Sequence, residues 1–165
     1  QSILVTNDEK FAKSVENQIV KLLETLPRKK IASTSWYNNG LILIIEHINE
    51  CIDLINQIAP EHLELCIENP KFYLDDINNA GSIFLGDYTP EAIGDYIAGP
   101  NHVLPTEGTA RFSSGLGTND FLRRTTFVQC NEHNLNDLGK HAEILAEAEG
   151  LDAHRMSIYA RRKDD

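Results

Sequence analysis

The chain has 165 residues, enough for one domain or one domain with a small appendage, and a compact chain of this size buries roughly 70% of its unfolded surface. Its 25 acidic residues against 15 basic ones give a net charge of −10, which repels phosphate backbones and anionic lipid and argues against nucleic acid or a membrane as partner. No apolar run approaches the roughly 20 residues of a membrane span, and Cys51, Cys66 and Cys130 show no C-x-x-C spacing, so a reducing, cytoplasmic setting without disulfides is expected.

Ile3 to Val5 reads as a short strand, and Thr6-x-x-Glu9 has the capping-box pattern that opens a helix striped by Phe11, Val15, Ile19, Leu22, Leu23 and Leu26. A second helical stretch follows Pro27. Asn39-Gly40 then turns the chain into LILIIE, a continuous apolar run of the kind found in a strand covered on both faces. A helix from about residue 48 to 58 leads to Pro60.

Pro60 opens PEHLE, where Glu61 and His62 stand side by side at the mouth of a strand expected over Leu63 to Ile67. On the residues alone two readings stay open: a turn with solvated polar groups, or a proton-transfer pair, since histidine titrates near neutrality. A helix after Pro70, a strand from Ser82 to Leu85 and a short helix after Pro90 continue the alternation, which argues for an α/β unit with a largely parallel sheet. The segment from Gly94 to Gly117 is rich in Gly, Pro, Ser and Thr and too long for structural filler, so it is expected to be functional.

TTFVQC reads as a further strand, and two helices follow, broken at Gly150, the first from about Leu135 to Glu149. The apolar phase of Leu138, Ala142 and Leu145 next falls on Glu149, and His154 shares a face with Leu151 and Ile158. Two polar groups thus stand where core residues are due; each alone reads as a partly exposed or hydrogen-bonded rim residue, while together, across a tight Gly turn, they can point at one site. G-L-G at 115–117 lacks the third glycine of a dinucleotide fingerprint and reads as a turn; Arg123-Arg124 reads as solvated surface; His47, His133 and His141 receive no role.

APEHLEL, NAGSIFLGDYTPEAIGDYIAGPNHVLPT, SSGLGTNDFLRRTTFVQ and AEAEGLDAHRMSIYAR together resemble the C-terminal portion of histidinol dehydrogenases, over essentially the whole chain. The resemblance implies a Rossmann-like α/β unit, incomplete here, over residues 1–116, and a dimerisation tail of strand and helices over 117–165. It implies that Glu61 and His62 are the acid–base residues, that Asp95 and His154 are zinc ligands, and that His102 and Glu149 contact substrate beside His62, Asp95 and His154. One zinc per site is expected, with its other ligands, a glutamine and a histidine, in a segment upstream of this chain.

NAD is the implied oxidant, most of its contacts also lying upstream, so no residue here is assigned to it. The implied reaction is oxidation of L-histidinol to L-histidine through L-histidinal, in histidine biosynthesis, by a homodimer whose C-terminal tails are exchanged. The chain is expected to be a fragment that is inactive by itself; the alternative is a non-catalytic dimerising scaffold. An unrelated zinc hydrolase is disfavoured because no H-E-x-x-H or comparable cluster supplies a third protein ligand.

Overall fold

The computed structural model describes residues 1–162. The chain divides into two compact units, residues 1–121 and 122–165. In the first unit, β1 (Ile3–Thr6) pairs in parallel with β2 (Leu41–Ile44), joined through α1 (Glu9–Thr25) and α2 (Lys29–Asn39). A second parallel pair, β3 (His62–Leu65) and β4 (Ser82–Leu85), is preceded by α3 (Cys51–Ile58) and followed by α4 (Glu91–Tyr96). The α/β class and the parallel strand pairing follow from these elements.

Several local expectations need correction. Thr6 is the last residue of β1, paired with Ile44, so the chain needs further residues before it can turn into a helix. The α1 cap is therefore Asp8, whose Oδ1 accepts from the N–H groups of Lys10 at 2.8 Å and Phe11 at 3.0 Å, while Thr6 Oγ1 accepts from Asp8 N. The stretch after Pro70 forms only a short 3₁₀ turn, Pro70–Tyr73.

Strand alternation gives the β3–β4 pair two faces. Leu63, Leu65, Ile83 and Leu85 turn to the core cluster of Cys51, Ile55, Leu65 and Ile77, where Val5 and Ile45 also pack. Each nearly buried aliphatic side chain there contributes up to about 1.5–3 kcal/mol. His62, Glu64 and Phe84 fall on the other face, which α4 covers.

The approach to β3 is fixed by an unusual turn. Ala59 closes α3 in the left-handed conformation, φ 51°, and is wholly buried, with its N–H bonded to Ile55 O at 2.8 Å. Pro60 then prevents the helix from continuing and delivers Glu61 and His62 to the start of the strand.

In the second unit, α5 (Glu132–Ala148) and α6 (Asp152–Tyr159) pack on each other across Gly150, whose φ of 72° suits glycine. The seam is built on small residues. Gly139 and Ala146 are buried, and a Cβ on Gly139 would lie 2.6 Å from Arg162 Cδ. Arg162 Nη1 donates to Glu143 Oε1 at 2.6 Å, with both side chains largely buried.

Two expectations for this unit fail. Leu138 and Leu145 face outward, 58% and 64% exposed, because the close helix approach selects the Gly139/Ala146 face one residue later in phase. TTFVQC forms no strand: it is extended with Phe127 90% exposed and Val128 83% exposed, and the described residues offer its backbone no partner strand. Among the described residues no helix is long and apolar enough to cross a membrane.

Asn56 ties α3 to the segment entering β4. Its Nδ2 donates to Asp76 O at 2.9 Å, and its Oδ1 accepts from the N–H groups of Asn78 at 2.8 Å and Asn79 at 3.1 Å. Asn56→Ala removes these bonds from largely solvent-accessible groups, so unfolding in urea should show a loss of about 0.5–1.5 kcal/mol. An unchanged midpoint would contradict this role.

Candidate functional site

His62 is the first residue of β3, in register with Ser82 of β4. Gly81 makes the register possible at this end: a Cβ there would lie 2.5 Å from Glu61 O, and the N–H of Ser82 donates to that same carbonyl at 2.9 Å. The imidazole lies 6.0 Å, centroid to centroid, from the ring of Phe84.

From β4 the chain turns through Pro90 into α4, whose Glu91 and Asp95 are separated by one helical turn and share a face. That face looks at His62. Asp95 Oδ1 is 3.4 Å and Glu91 Oε1 3.8 Å from His62 Nε2, which is buried and has no hydrogen-bond partner among the described residues. The three side chains place donor atoms within 4.8 Å of one another. One nitrogen and two carboxylate oxygens form a donor set of the kind a divalent ion accepts, and the same cluster can instead hold a single imidazole beside a carboxylate for proton transfer.

Gly94 lets α4 lie flush on the sheet, since a Cβ there would come 2.3 Å from Phe84 Cε1. Partial desolvation, followed by a hydrogen bond with the Asp95 carboxyl and the Asp95 charge, pushes the Glu91 pKa up; His62 pulls it the other way. With the Glu91 side chain 45% exposed, solvent screens much of this effect.

Of the residues singled out in the sequence, His62 and Asp95 are brought together. Glu61 is half-buried beside His62 but lies outside the converging group. His102 is exposed on the loop after α4, a loop held locally by Leu116 N–H donating to Val103 O at 2.9 Å. Glu149, the C-cap of α5, and His154, on α6, are exposed residues of the second unit. Glu91 was not among the sequence candidates. Its signal is the i, i+4 spacing to Asp95 in PEAIGD, hidden because an acidic residue in a first helical turn already has a reason to be there.

Comparison with known proteins covers nearly the whole chain. The family model described as histidinol dehydrogenase matches residues 1–162. Histidinol dehydrogenase 1 of Nostoc sp. is 53% identical over 161 residues, 98% of this chain and 37% of that protein. The histidinol dehydrogenase of Rhodospirillum rubrum is 52% identical over 162 residues, again 98% of this chain and 37% of its own. The crystal structure of histidinol dehydrogenase from Elizabethkingia anophelis superposes with a TM-score of 0.81 at 40% identity, covering 96% of this chain and 36% of that one. The chain thus spans little more than a third of the length of these relatives.

The raised Glu91 pKa has a testable consequence. A carboxyl whose pKa is higher in the folded state stabilises the fold while protonated, and that contribution is lost as pH rises through the raised value. The melting temperature of Glu91→Gln minus that of the unsubstituted protein should therefore grow as pH is raised from acidic toward neutral. A difference that shrinks over that range would contradict the assignment.

Proposed function

Since the chain belongs to the histidinol dehydrogenase family, we propose that it carries the proton-transfer half of a zinc- and NAD-dependent dehydrogenase that oxidises L-histidinol through L-histidinal to L-histidine. The observation that supports this most is the buried, unpartnered Nε2 of His62, 3.4 Å from Asp95. A scaffold module gains little from holding an imidazole nitrogen between two carboxylates without a hydrogen bond among the described residues.

Asp95 and His154 would hold the zinc together with a glutamine and a histidine outside this chain. Zinc and NAD supply, when bound, fixed orientation of the substrate's nitrogen donors and a hydride acceptor. The remaining chemistry belongs to side chains of this chain. His62 takes the hydroxyl proton as the first hydride leaves, forming the aldehyde. Glu61 takes a proton from the water that adds to that aldehyde, and His62 serves again as the hydrate loses the second hydride to give the carboxylate. Glu149 suits a cationic amine or a ring N–H by charge-assisted hydrogen bonding, and His102 contacts substrate from the loop.

The outward stripe of Leu138, Ile144 and Leu145 on α5, each more than half exposed, supports an exchanged tail that covers it on a second copy of the chain. In that arrangement Glu149 and His154 serve the neighbouring copy's site. A reducing, cytoplasmic setting suits Cys51, Cys66 and Cys130, which are free thiols.

The division of labour is tested in the complete enzyme by supplying alcohol and aldehyde separately. His62→Asn should suppress both oxidations, by about 10²–10⁴-fold, whereas Glu61→Gln should fall more heavily on the water-dependent second step. Equal slowing of both steps by Glu61→Gln would sink the assignment.

A further inference from the structure

We propose that Glu64 is a positioning residue for the His62 and Asp95 pair, capping α4 from the neighbouring strand; the inference rests on the function proposed above. Helix α4 starts after Pro90, which has no side-chain acceptor for the first N–H groups of the helix, and it runs only from Glu91 to Tyr96. A helix this short does not hold itself. The acceptor comes from elsewhere in the chain: Glu64 Oε1 receives the N–H of Glu91 at 2.7 Å.

The placement of that bond gives it a function. Glu64 and His62 are alternate residues of β3 and so share the face that α4 covers. Glu91 and Asp95 are one turn apart on α4. A single hydrogen bond therefore joins the strand that carries the imidazole to the helix that carries the carboxylate, one step from the site on each element. Flush packing of Gly94 on Phe84 sets how closely α4 approaches, and the Glu64 bond sets how far along and in what rotation it sits. Without it, the rotation of α4, and with it the distance from Asp95 to His62 Nε2, is held only by the packing of Gly94 on Phe84.

What the bond requires is an acceptor oxygen, not a charge. Glutamine keeps the oxygen and removes the charge, which separates positioning from electrostatics.

The test compares Glu64→Ala and Glu64→Gln in the complete enzyme by zinc affinity, kcat for histidinol and hydrogen exchange of the Glu91 amide. For Glu64→Ala, zinc affinity and kcat should fall by about 10–100-fold, as for other residues that orient a metal ligand, with faster exchange at Glu91. Glu64→Gln should stay within about threefold of the unsubstituted enzyme on all of these, because its amide oxygen accepts the same bond. The proposal is overturned if glutamine is as damaging as alanine, or if alanine leaves zinc affinity and Glu91 exchange unchanged. Should Glu64→Ala fail to fold, Glu64→Gln decides by itself: a fall of more than about threefold in zinc affinity, or faster Glu91 exchange, overturns the proposal. Should the unsubstituted enzyme not oxidise histidinol, the function proposed above fails, while Glu91 exchange in the two variants still decides the role of Glu64.

Discussion

The constraint on which the first unit depends is the register of β3 against β4, with His62 opposite Ser82 and Leu65 opposite Leu85. Side chains alternate along a strand, so a slip of one residue would turn His62 and Glu64 into the core and expose Leu63 and Leu65. The hydrophobic cluster around Cys51, Ile55, Leu65 and Ile77 forbids this slip. His62 is therefore placed by the burial of its neighbours. Upstream, the left-handed Ala59 and Pro60 aim the chain into this register, and Gly81 allows the close approach of backbones that completes it.

Once the strand is fixed, the electrostatics of the site follow from a very short helix. Placing the carboxylates of Glu91 and Asp95 one turn apart beside an imidazole gathers negative charge around a single basic nitrogen. That arrangement is uneasy: the charge of Asp95 raises the cost of ionising Glu91, and the buried nitrogen has no hydrogen bond among the described residues. Local unease of this kind is expected where a structure is prepared for a ligand or a proton and not for its own stability.

Much of this was legible in the sequence, and the failures have physical causes. The strand from Ser82 to Leu85 could be read because a short apolar run bounded by Gly81 and Gly86 has few other uses. The outward turn of Leu138 and Leu145 could not, because periodicity rewards large apolar residues, while the close approach of α5 to α6 is decided by Gly139 and Ala146. The strand expected at TTFVQC was misjudged for a related reason: β propensity describes the segment, but a strand needs a partner. His62 and Asp95 were marked by resemblance, and Glu91 was missed because its partner is made by helix geometry and not by any motif. The Glu64 bond to Glu91 spans 27 positions and has no sequence signature at all.

Under the function proposed above, Asp95, on α4, and His154, on α6, are halves of one zinc site completed between two copies of the chain. Mixing complete enzyme chains bearing Asp95→Ala with chains bearing His154→Ala, each inactive alone, tests this most directly. In a heterodimer with exchanged tails, both lesions fall in one site and the other site is intact, so about half the normal activity per heterodimer should return. If mixing restores no activity, each chain's tail serves its own site and the account is contradicted.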